Sequence, residues 1–168
     1  DVRTEDRSRT VITYQSGVLE EMKTRVERRA FLRVYDGKMW YYASVTDLAN
    51  LQKTLDGLYE AATPNPAILD DPVVRRFECN RDTVMSFADC SVRDIPQKDK
   101  QALLLSYLPI VSDDPSITLT IGMYLDRNSI FCFKSSLGAD ITYDYQTCGI
   151  AFLCSMAEGE KKFTGHWQ

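Results

Sequence analysis

The chain has 168 residues, 44% apolar and 26% charged, with 20 Lys and Arg against 24 Asp and Glu and a formal net charge of −4. That is enough chain to bury a core as one domain or two small ones, and too acidic a balance for a general binder of nucleic acid. The single histidine, His166, excludes an H-E-x-x-H or Cys2His2 site within the chain and removes most nucleophile–histidine pairs, and no apolar run reaches the length of a membrane span.

Residues 10–16 (TVITYQS) are β-like and break at Ser16-Gly17. Residues 18–28 alternate: Val18, Met22, Thr24 and Val26 share one face, and Glu21, Lys23, Arg25 and Glu27 the other, as in a half-buried strand. The runs 30–35 and 38–43 flank Asp36-Gly37, which predicts a hairpin with a type I′ turn. Ser44-Val45-Thr46-Asp47 has capping-box spacing. Leu48, Leu51, Leu55, Leu58, Tyr59 and Ala62 then recur at helical spacing until Thr63-Pro64. Residues 73–92 read as irregular, with strand character at 74–79 and 83–88. Asp94-Ile95-Pro96 opens a second helix over 97–108, closed by Pro109 and Asp113-Asp114-Pro115. Ile117, Leu119, Ile121, Met123 and Leu125 alternate as a strand, and Asp126-Arg127-Asn128 reads as a turn into Ser129–Phe133. Residues 139–146 and 149–157 read as two strands, and Glu158-Gly159 turns into 160–167.

Two blocks lie over each other. Thr10–Glu21 runs alongside Ser129–Asp140 at a shift of 119, and Ala30–Lys38 alongside Phe152–Glu160 at a shift of 122. Asp36-Gly37 thereby meets Glu158-Gly159. The expected fold is α+β: two tandem repeats of an antiparallel β-meander plus a helix, in mixed or antiparallel sheets packed with two main helices. The halves are 1–62 and 94–168, joined by 63–93, within one domain over 1–168. Opening on Asp1 inside a β-like stretch and stopping at Gln168 after another, the sequence reads as part of a longer protein.

The order of Asp1-Val2-Arg3 with Glu5, then Tyr14-Gln15-Ser16-Gly17-Val18-Leu19-Glu20-Glu21, resembles the N-terminal domain of the TldD/PmbA family. So do Arg33, Tyr35-Asp36-Gly37-Lys38, Tyr41-Tyr42-Ala43-Ser44 and Asp47-Leu48, and later Ser136-Leu137-Gly138 with the final Glu-Gly hairpin. Arg29, Ala30, Met39 and Trp40 stand where that family has small residues or glycine, which marks a divergent member. These proteins are cytoplasmic metallopeptidases or their partner subunits, known as modulators of DNA gyrase. Their metal ligands come from an H-E-x-x-x-H helix and a cysteine of the C-terminal domain, and none matches a position here. The resemblance therefore implies no catalytic, cofactor-binding or metal-binding residue in this chain, and zinc in the remaining C-terminal half of the parent.

What the resemblance implies is the non-catalytic N-terminal domain of a zinc metallopeptidase acting in proteolysis or peptide maturation. It would help to form a substrate tunnel and a homo- or heterodimer with a related subunit, with no nucleic-acid or membrane partner. The alternatives are the interaction domain of a catalytically inactive partner subunit of the gyrase-modulator type, and a standalone ligand-binding α+β domain. Without chemistry of its own, such a domain would hold a peptide by backbone pairing at an open strand edge. Residues 18–28 are the candidate edge, with Met22, Thr24 and Val26 as contacts, and Trp40 and Tyr41 as walls of a peptide groove.

Other features receive plainer readings. Asp70-Asp71 and Asp113-Asp114 sit beside prolines and read as solvated loop carboxylates rather than cation ligands. Lys23, Arg25, Arg28, Arg29 and Arg33 form a basic run that alternation splits over two faces. His166 reads as a strand-end residue. The five cysteines, odd in number and widely spaced, read as reduced thiols of a cytoplasmic protein.

Overall fold

A computed structural model describes all 168 residues, Asp1–Gln168. The fold is α+β. Its strands are β1 (Val2–Gln15), β2 (Val18–Tyr35), β3 (Trp40–Val45), β4 (Arg81–Val84), β5 (Ile117–Lys134), β6 (Asp140–Glu158) and β7 (Lys161–Trp167), with helices α1 (Leu51–Ala61) and α2 (Gln97–Ser112). The strands pair in the order β3-β2-β1-β5-β6-β4, with β7 also on β6. β2–β3 and β6–β7 are antiparallel, whereas β4 joins β6 in parallel. Asp36-Gly37 lies in the link from β2 to β3, and Gly159 in that from β6 to β7.

The chain forms two compact units that do not follow the sequence halves. One comprises 1–7, 27–86 and 129–145, and the other 8–26, 87–128 and 146–168. Each of β1, β2, β5 and β6 contributes to both.

Several elements differ from the sequence reading. β2 is continuous where strands at 18–28 and 30–35 were expected, and β6 where 139–146 and 149–157 were expected. Asp126-Arg127-Asn128 is no turn: β5 runs through it, with Asp126 and Asn128 buried. The first helical turn is capped by Asp47, which accepts from the Ala49 N–H at 3.0 Å, rather than by Ser44. α2 continues through the exposed Pro109 to Ser112, since proline there forfeits one helical bond, to the carbonyl four residues back. Residues 74–76 form a 3-10 turn, and the strand of this region is β4 at 81–84.

Type I′ geometry lies at Ser16-Gly17, not at Asp36-Gly37. Ser16 and Gly17 have φ of +47° and +80° and form a two-residue loop between β1 and β2. An added Cβ at Gly17 meets nothing within 4 Å, so only backbone strain opposes it. Gly17→Ala is expected to cost about 1 kcal/mol, read from the shift of the urea midpoint at constant m-value.

The unit built on 8–26, 87–128 and 146–168 has its core under α2. Leu104 and Leu108 meet Ile12, Tyr14, Tyr124 and Phe152, with Met22, Val111 and Ile150 at the margin. Gly122 lets the helix approach, since a Cβ there would stand 2.8 Å from Leu108 Cδ2 and 3.0 Å from the Phe152 ring. At its N-terminal end α2 is held by polar contacts: Gln97 donates to Thr24 Oγ1, Gln101 to the Tyr14 hydroxyl, and Lys100 reaches Asp126.

The unit built on 1–7, 27–86 and 129–145 buries Ala30, Leu32 and Ala139. Across β1 and β2, Arg7 pairs with Glu27, Arg28 with Asp6, Arg29 with Glu5 and Arg33 with Asp1. Three members of the basic run, Arg28, Arg29 and Arg33, are thus matched by carboxylates. Burial raises the Glu5 pKa, but hydrogen bonds from Arg29 and Ser129 outweigh it and hold the carboxyl below its ordinary value.

Candidate functional site

The β2–β3 hairpin is organised by one carboxylate. Asp36 Oδ1 accepts from the Lys38 and Met39 N–H groups, both at 2.8 Å. Its Oδ2 accepts from the Thr63 N–H and the Tyr41 hydroxyl, both at 3.2 Å. The Asn65 amide donates to the Asp36 carbonyl at 2.9 Å and fastens the segment after α1 to the tip. The loop spans four residues, since Tyr35 pairs with Trp40. Gly37 has φ of +96°, and a Cβ there would strike the Asn65 amide.

The Met39 N–H, then that of Lys38, with further bonds from Thr63 and Tyr41, bring the Asp36 pKa down to about 2. A depressed carboxylate pKa gives stability that is full above the unfolded value and lost as pH falls through the folded one. Asp36 therefore contributes above about pH 4 and ceases to near pH 2. Asp36→Asn should flatten the stability–pH curve in that interval, as measured by thermal unfolding from pH 5 to 2. A parallel shift of the whole curve would contradict this.

Above the tip, Trp40 stacks on Tyr35 with centroids 4.6 Å apart and meets Phe77 edge-on at 6.3 Å. The Arg33 guanidinium lies 4.6 Å over the Trp40 ring. These groups wall a cavity of about 710 Å³, completed by α1 through Leu55 and Tyr59 and by Phe133 of β5. Tyr41 turns to the opposite side of β3 from Trp40, with its hydroxyl on Asp36.

The second feature is an open strand edge. β3 pairs only with residues 30–35 of β2. Residues 18–29 have β1 as their one strand neighbour. This stretch carries Glu20, Glu21, Lys23 and Arg25, all exposed, the composition that keeps free edges from aggregating. By contrast, β6 is lined at 140–143 by β4. Met22 packs beside the core under α2. The Thr24 hydroxyl is shared with Thr10 and Gln97. Val26 is 62% exposed. The structure places Met22, Thr24 and Val26 in one compact unit and Trp40 and Tyr41 in the other.

No three His, Cys, Asp or Glu side chains converge as metal ligands. His166 is exposed on β7 opposite Leu153. Asp70 pairs with Arg75, Asp71 caps the Val73 N–H and Asp114 caps Ser116. The five cysteines are unpaired. No helix is long and apolar enough to cross a membrane. The sequence reading missed Arg3, Phe77 and the buried set Thr10, Lys100, Tyr124 and Asp126. Their partners lie far away along the chain, and no local pattern announces them.

Comparison with known proteins gives a partial family match and a shared fold. Residues 1–62 match the family described as PmbA/TldA metallopeptidase domain 1. The fold over nearly the whole chain is shared with solved proteins. A proposed modulator of DNA gyrase from Bacteroides thetaiotaomicron has a TM-score of 0.75 at 16% identity, over 99% of this chain and 39% of that one. A second proposed gyrase modulator, from Thermotoga maritima, has a TM-score of 0.67 at 16% identity, over 99% and 38%. TldE from Thermococcus kodakarensis has a TM-score of 0.61 at 9% identity, over 98% and 38%. This chain thus spans under two fifths of each of these proteins. No curated protein sequence matches it. Over its first 62 residues the chain thus matches a first domain of the PmbA/TldA type, and over nearly its whole length it shares the fold of these solved proteins.

Proposed function

We propose that this chain is the non-catalytic N-terminal domain of a cytoplasmic TldD/PmbA-like zinc metallopeptidase, which shapes the path of a peptide substrate and takes part in a dimer. The observation that carries this reading is the match of residues 1–62 to a metallopeptidase first domain. Zinc and the hydrolytic groups would belong to the remainder of the parent. The open edge of β2 supports a peptide role, because backbone pairing holds extended chains of varied sequence. Asp1 and Arg33 exchange both backbone bonds, and the Thr10 and Thr24 hydroxyls meet across β1 and β2. Strand alternation from that register turns the N–H groups of Thr24 and Val26 away from β1. A second reading, the interaction domain of an inactive partner subunit, draws on the similarity to TldE.

The test is made on the full-length parent. It should hold zinc after dialysis and cleave an extended peptide. Val26→Pro, which deletes one outward N–H at an exposed position, should lower cleavage several-fold with zinc content and unfolding temperature unchanged. A parent without zinc and without cleavage would favour the partner-subunit reading. Unchanged cleavage by the folded variant would remove the edge from the mechanism.

A further inference from the structure

The cavity beside Trp40 contains the same recognition geometry twice, filled once. Arg33 lies 4.6 Å over the Trp40 ring and grips the Asp1 carboxylate, with Nη2 to Oδ2 at 2.7 Å and Nε to both oxygens at 3.2 Å. Arg3 lies 5.2 Å over the Phe133 ring in like manner. Its closest carboxylate oxygen, also of Asp1, stands 4.0 Å away, and its side chain is 55% exposed. A guanidinium on an aromatic face is held flat with its donor edge outward, the arrangement that suits a carboxylate fork. The other charged groups at the cavity are engaged: Lys134 by Asp140, Asp56 by Gln52 and Glu78 by Asn80. Arg3 is therefore the cation with donors to spare.

The space beside it suits a flat apolar body. About 710 Å³ is within the range of small-molecule sites. Its walls offer aromatic faces and edges from Tyr35, Trp40, Phe77 and Phe133 together with aliphatic Leu55 and Ile68. We propose that this cavity is a binding site for a planar aromatic carboxylate, its ring against Trp40 and Phe133 and its carboxylate on Arg3. The site lies within one compact unit and does not depend on the peptidase reading.

The probe is 2-naphthoate, with 2-naphthamide as its neutral counterpart and decanoate as an aliphatic acid. The readout is Trp40 fluorescence in a Trp167→Phe background, which leaves Trp40 as the one indole. Titration should give saturable quenching at one site per chain, with naphthoate bound more tightly than naphthamide or decanoate. Arg3→Gln should weaken naphthoate about tenfold, the scale of one lost charge-assisted hydrogen bond, and leave naphthamide unchanged. Arg3 is half in solvent and makes no close ion pair, so the variant should fold, as circular dichroism would verify. Phe133→Leu should weaken both aromatic probes. Absence of saturable quenching at millimolar probe would overturn the proposal. So would equal affinity for all three probes, or naphthoate binding that ignores Arg3→Gln.

Discussion

Asp126→Ala is expected to cost about 3–5 kcal/mol of folding stability, because it strands a buried cation. Lys100 and Asp126 are 4% and 2% exposed, and their charged atoms stand 2.6 Å apart. Asp126 also accepts from the Thr10 N–H at 3.0 Å and the Tyr124 hydroxyl at 2.9 Å. Lys100 donates to Thr10 Oγ1 at 3.2 Å. Burial, with Asp126 as hydrogen-bond partner, pushes the Tyr124 phenol well above its ordinary pKa, so it remains a donor. Removing the carboxylate leaves the ammonium, one amide and one hydroxyl without their acceptor. Lys100→Met is the milder change, about 1–3 kcal/mol, because the carboxylate keeps both other donors. Asp126→Asn should fall between, since it retains an acceptor for the Thr10 amide but no charge. Urea unfolding with constant m-values tests the order. A cost below about 1 kcal/mol for Asp126→Ala would mean that the ion pair behaves as a surface one.

This cluster also shows where the sequence stops being legible. Asp126-Arg127-Asn128 has turn composition, and only the approach of Lys100, 26 positions earlier, turns it into buried strand. Satisfaction of charge by a remote residue is invisible to local pattern. The same limit produced the misplaced turn type. Asp-Gly is the stronger I′ signal, yet Asp36 spends its carboxylate on Lys38, Met39 and Thr63 and opens the loop to four residues, whereas Ser16 accepts the left-handed region. What was legible rests on period two. The alternation at 18–28 and 117–125 reports real strands, and the charged flank at 18–28 does lie along a free edge. Of the contact residues read there, Thr24 spends its hydroxyl on Thr10 and Gln97, so the edge offers backbone more than side chains. Trp40 could be singled out because an aromatic run on an alternating strand must expose members. The cavity it lines could not, since Phe77 and Phe133 reach it from separate parts of the chain.

Leu104→Ala should cost about 3 kcal/mol, as expected for a fully buried leucine whose neighbours cannot close the gap. Leu103→Ala, one residue away, should cost no more than about 0.5 kcal/mol. The run Ala102-Leu103-Leu104-Leu105 is apolar throughout, so sequence alone does not say which leucine enters the core. The structure decides through the register set by Lys100. Once its ammonium is tied to Asp126, residues four and eight positions on, Leu104 and Leu108, fall on the same face and meet Ile12, Tyr14, Tyr124 and Phe152. Leu104 is 0% exposed and Leu103 is 47% exposed. If the ion pair fixes this register, Leu104→Ala and Asp126→Ala should be non-additive, since loss of the pair frees the helix to shift and refill the space left by Leu104. Simple addition of the two losses in the double variant would show that core packing alone holds α2 in place.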